Sequence, residues 1–107
     1  MGMEAELLAL GPYKDSIANH LEYQAGYYEG TTEGSIITVR IYKAVGSTSS
    51  RALAEALGAI PSDFDTHALD PKNFDWNELA ELLSSEELES LHVLVDAGFE
   101  FHFRPNA

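Results

Sequence analysis

Glu100, His102 and Arg104 stand two residues apart, so on an extended chain a carboxylate, an imidazole and a guanidinium project from one face. That set could relay charge or form a ledge for a small polar ligand, with Arg40 and Tyr42 of an earlier extended segment as its neighbours. Cross-strand charge pairing on a solvated sheet calls for the same residue types. Asp63, Asp65, His67 and Asp70 have the alternate spacing that lets oxygen and imidazole ligands of a loop converge on a cation. The turn glycine and closing glutamate of a calcium loop are missing, and helix capping and turn formation account for these acids. The segment Gly46-Ser47-Thr48-Ser49-Ser50-Arg51 sets hydroxyls and free N–H groups at a helix start near Lys43, where an anion could sit; ordinary N-capping asks for the same residues. Tyr13, Tyr23, Tyr27 and Tyr28 suit either an interface or the anchoring of a loop, and His92 falls on the apolar stripe of its helix as a hydrogen-bonded core histidine.

None of these groups matches a known catalytic or nucleotide-binding pattern: GxSxG, HExxH, P-loop and dinucleotide fingerprints are all missing. The chain has no cysteine, which removes thiolate nucleophiles, cysteine zinc sites and disulfides. No catalytic residue is assigned, no metal site or cofactor is expected, and an enzyme is the less favoured class.

Charge is the unusual feature. The net charge is −12, and residues 55–107 hold twelve acids against two bases. Such a field repels nucleic acid and anionic membrane surfaces. Glu78, Glu81, Glu86, Glu87 and Glu89 avoid the apolar stripes of Trp76, Leu79, Leu83, Leu88 and Leu91, so they should point into solvent from neighbouring helices. The first expectation is therefore a protein-interaction module, of the inhibitor or immunity type, that docks a basic protein through these glutamates. Two alternatives stand beside it. One is a small-molecule-binding or catalytic domain using Arg40, Tyr42, Glu100, His102 and Arg104; the other is a nucleic-acid mimic displaying carboxylates where phosphates would lie.

The elements that would position these residues follow from periodicity. A chain of 107 residues is the size of one domain. Met3–Leu10 alternates and then turns apolar on both faces, which predicts a strand entering the middle of a sheet and stopped by Gly11-Pro12. Tyr13, Ile17 and Leu21 predict a short helix, Ser35–Lys43 a strand, and Leu53, Ala56, Leu57 and Ile60 a helix ended by Gly58. Asp75 caps a third helix, and Ser84 with Glu87 forms the capping box of a fourth that runs to Gly98. Phe99, Phe101 and Phe103 alternate with polar partners until Pro105, giving a strand with one buried face. The expected fold is α+β, a two-layer sandwich in the order β-α-β-α-α-α-β, with a short extra strand near Thr66–Leu69.

The stretch Met1-Gly2-Met3-Glu4-Ala5-Glu6-Leu7-Leu8-Ala9-Leu10-Gly11-Pro12, with Tyr23, Gly34 and Asp63-Phe64-Asp65-Thr66-His67, resembles small acidic bacterial proteins that have no assigned chemistry. The resemblance implies a bacterial, cytoplasmic origin and transfers no functional residue. The acidic N-terminus lacks the positive charge of a signal peptide, and no apolar run is long enough to span a bilayer. Oligomeric state is left open.

Overall fold

Leu7-Leu8-Ala9-Leu10 has no polar face, and a strand of that kind is stable only when both its edges are paired and both its faces are at least partly covered. In the computed structural model, which describes residues 4–25, 31–59 and 67–106, it is the heart of the sheet. Strand β1 (Glu4–Pro12) lies between β2 (Ile36–Val45) and β4 (Glu100–Asn106), and the short β3 (His67–Leu69) pairs on the far side of β4. The sheet order is β2-β1-β4-β3, antiparallel throughout.

Helices α1 (Ala18–Ala25), α2 (Ser47–Leu57), α3 (Trp76–Leu82) and α4 (Ser85–Asp96) form the second layer. Ala5, Leu7, Ala9, Val39, Ile41, Phe101 and Phe103 of the sheet are buried together with Leu21, Leu53, Leu57, Leu79, Leu91 and Leu94 of the helices. This is the α+β sandwich expected from periodicity, and the three-residue β3 is the extra strand expected near Thr66–Leu69.

The helix boundaries follow local chemistry. Asp75 Oδ1 accepts from Glu78 N–H at 3.2 Å, and Ser84 with Glu87 forms a reciprocal capping box at 2.8 and 3.1 Å. Gly58, at φ 74°, ends α2 in the left-handed conformation. At the start of α2, however, Gly46 occupies the cap with no side-chain cap bond, so the hydroxyls that follow it belong to the helix itself.

Three boundaries differ from expectation. The first helix begins later: Asp15–Ile17 forms a 3-10 turn, and α1 follows at Ala18. Pro12 is thus the last residue of β1, opposite Ile36, and not the first of a helix. Pro105 does not end β4, which continues to Asn106. Since β3 pairs only with Phe101–Phe103, β4 has no partner from β3 at Pro105, and a missing N–H there costs no ladder bond on that side.

Gly11 has a steric duty. It lies beside Phe99, and a Cβ on it would sit 2.7–2.9 Å from three atoms of that ring. Absence of a side chain lets the aromatic ring pack on the strand backbone.

Candidate functional site

The open face of the sheet, opposite the helices, collects three of the six Lys and Arg residues of this acidic chain. Glu6 sits at its centre with only 7% of its side chain exposed. Arg104 donates to Glu6 Oε1 from Nε at 3.2 Å and from a terminal nitrogen at 2.5 Å, while Arg40 reaches Oε2 at 3.5 Å. A carboxylate so far removed from water needs charged partners, and two guanidiniums from the flanking strands supply them. Lys43 pairs with Glu4 at 3.3 Å, and His102 Nε2 lies 4.0 Å from a Glu100 carboxylate oxygen.

Arg40, Glu100, His102 and Arg104 therefore share one face, as their spacing predicts, but Tyr42 is not with them. The ladder between β1 and β2 slips between Leu7 and Leu8, pairing Leu7 with Tyr42 and Leu8 with Arg40. The bulge at Ile41 reverses the alternation and turns Tyr42 to the helix-covered side. There burial, and secondarily the Glu87 carboxylate, raise its pKa above the ordinary tyrosine value.

An open depression of about 340 Å³ at one end of the face is lined by Leu10, Gly11, Pro12, Ile36, Gly98 and Glu100, and Arg40, His102 and Arg104 do not contribute to it. Arg40 and Arg104 each spend their charge on Glu6. The face is a lattice of ion pairs spanning three strands.

The helical layer is arranged differently. Glu78 and Glu81 on α3 and Glu86 and Glu89 on α4 are all exposed, each pair at the i, i+3 spacing that puts two side chains on one helix face. Among the described residues, none of the four carboxylates has an ion pair. Glu87, grouped with them by sequence, is half-buried and committed to the capping box through Oε1.

Between the two helices lies a feature that sequence reasoning missed. His92 is exposed, not part of the core, and stacks on the half-buried Trp76 with ring centroids 4.2 Å apart and planes 12° from parallel. Phe74 meets the same indole edge-on at 5.7 Å. Glu89, His92 and Asp96 follow at i, i+3 and i+7 along α4, so carboxylates flank the aromatic pair on its own helix. The sequence held one signal: Trp76 opens an otherwise aliphatic stripe, and a large ring at a helix start is rarely covered completely.

The remaining sequence candidates are not gathered into a site. Asp63 and Asp65 lie outside the described residues, as do Tyr27 and Tyr28; Asp70 is exposed and caps a 3-10 turn through a 3.0 Å bond from Lys72 N–H. Tyr13 is buried in the core. Ser47, Thr48 and Arg51 line a shallow depression of about 310 Å³ with Ala52 and Glu55. His20 Nδ1 lies 3.3 Å from Ser90 Oγ, but Ser90 is 2% exposed between α1 and α4, where a substrate could not reach it. Among the described residues no group of three potential ligands is close enough to hold a metal ion, and no helix is long and apolar enough to cross a membrane.

Comparison with protein-family models, with curated proteins and with solved structures gives no match.

Proposed function

We propose that this protein is a binding module whose α3–α4 surface docks a basic protein segment. The observation that carries the reading is the segregation of charge: Arg40, Lys43 and Arg104 are paired within the sheet face, whereas Glu78, Glu81, Glu86 and Glu89 are exposed and, among the described residues, without an ion pair on the two helices that also carry the Trp76–His92 stack. Aromatic side chains supply contact area at low entropic cost, and a carboxylate rim attracts Lys and Arg and steers encounter. An acidic, partly aromatic surface of this kind suits an inhibitor or immunity-type protein that masks a cationic surface on its target. In this reading the open sheet face is a supporting structure and does not act on a ligand.

The test is affinity capture from an extract of the source cell, using the wild type beside Glu78→Lys/Glu81→Lys/Glu86→Lys/Glu89→Lys. Glu87 is left intact, because replacing it would open the capping box. A cationic partner held by the wild type and lost by the folded variant is the expected result. A partner retained equally by both would overturn the docking surface, and retention lost only on disrupting Arg40 and Arg104 would move the site to the sheet face.

A further inference from the structure

We infer that the outer edge of β2 is a homodimer interface, pairing antiparallel with β2 of a second copy in the register that sets Ile36 opposite Val45. Strand β2 is an edge strand, and among the described residues no strand pairs with its outer side. It also carries both of the large hydrophobic side chains that are strongly exposed among the described residues, Ile36 at 68% and Val45 at 67%, one at each end.

The bulge makes this edge self-complementary. Two copies of a regular strand related by a twofold axis match faces only when the numbers of opposed residues add to an even total, because side chains alternate with period two. Ile36 opposite Val45 gives an odd total, which a regular strand would reject. In β2 the slip at Ile41 reverses the alternation halfway, so that Ile36, Thr38 and Arg40 share the open face with Lys43 and Val45. The register then sets Ile36 against Val45 and Thr38 against Lys43 on the open face, and Ile37 against Ala44 and Val39 against Tyr42 on the helix side. Only Arg40 and Ile41, at the axis itself, are mismatched. Registers with an even total mismatch both arms or match only part of one. The odd total that sets Thr38 opposite Val45 matches faces but leaves the exposed Ile36 beyond the contact, so burial of both apolar ends selects Ile36 opposite Val45.

Electrostatics favours the same edge. Charged residues usually protect an exposed strand from association. Here Arg40 and Lys43 are held by Glu6 and Glu4 of β1, leaving the edge locally neutral on a chain of charge −12. Two copies repel least where they meet through β2. The paired β2 strands would join both sheets into one, with order β3-β4-β1-β2 running into its twofold image.

The experiment uses the intact chain, whose freedom from cysteine gives a clean background. Light scattering after size exclusion should give twice the 11.7 kDa chain mass as concentration rises towards about 100 μM, the range expected for a modest interface. Ile36→Lys with Val45→Lys should weaken the dimer by about tenfold or more. Under mild oxidation the double variant Ile36→Cys/Val45→Cys should form a covalent dimer joining position 36 of one copy to position 45 of the other, while Ile36→Cys alone should not. The two positions lie at opposite ends of one strand, too far apart to close within a chain. A monomer at every concentration would overturn the inference, as would equally efficient crosslinking by the single variant, which would indicate a different register.

Discussion

At the scale of single residues, Tyr42 on β2 and Glu6 on β1 show the two environments on either side of the sheet, Tyr42 being turned to the helix side by the bulge at Ile41. Tyr42 has its pKa raised, first by burial and then by Glu87. In the unfolded chain this phenol ionises near the ordinary value of 10.0, whereas in the folded protein it keeps its proton to a higher pH. Its contribution to stability is therefore present below pH 10 and lost as pH rises from there through the folded value. The unfolding free energy of the wild type should fall more steeply above about pH 10 than that of Tyr42→Phe. Glu87→Gln, which preserves the capping box, should give an intermediate slope; equal slopes for all three proteins would contradict the assigned environment. On the other face, Glu6→Gln leaves two guanidiniums sharing a neutral amide and should cost about 1–3 kcal/mol in denaturant unfolding, while Glu100→Gln should cost little. Equal losses would mean that the central carboxylate is not the keystone of the ion-pair lattice.

At the scale of elements, the packing of Phe99 and Phe101 against β1 governs the sheet. Phe101 is 1% exposed and meets Phe74 edge-on at 5.9 Å. Phe101→Ala should destabilise by about 3–5 kcal/mol, because so large a cavity cannot collapse in a thin two-layer core. Gly11→Ala should cost about 1–3 kcal/mol by forcing the Phe99 ring away, and a neutral effect in chemical denaturation would show that the ring moves freely. These strand faces were legible in the sequence because Phe99, Phe101 and Phe103 alternate without interruption, and the helix starts because Asp75 and Ser84 carry the chemistry of caps. Tyr42 was misplaced because a bulge breaks period-two counting without leaving a glycine or proline to mark it. Pro12 and Pro105 were read as stops because their tolerance depends on which strand side is paired, a property of the sheet and not of the local sequence. The open-face cluster of Arg40, His102 and Arg104 was legible as a cluster, but Glu6, which organises it, looked like one acid among several on β1. The Trp76–His92 stack was missed for a similar reason: Trp76 was its one signal, the stack joins a helix start to the middle of another helix, and His92 shares the spacing of core residues.

At the scale of the whole molecule, among the described residues the ion pairs lie on the open sheet face while the four exposed glutamates of α3 and α4 have none. Raising salt from low ionic strength to 0.15 M shortens the Debye length to about 8 Å and screens that like charge more than it weakens the Glu6 pairs, whose carboxylate is buried between half-exposed arginines. The melting temperature should therefore rise over this interval; a fall would mean that favourable pairs outweigh repulsion across the surface. Screening should also favour self-association through β2 and oppose docking of a cationic partner on α3 and α4, so the two events are separable by salt alone. The central claim, that the partner docks on the α3–α4 surface, is tested most directly by the single tryptophan. With 5-fluorotryptophan incorporated, Trp76 gives one fluorine resonance on the helix pair that carries the proposed surface. Saturation with the captured cationic partner should shift that resonance, and the charge-reversed variant should show no shift at the same partner concentration. A resonance that stays in place while an independent measurement shows the complex fully formed would contradict the account.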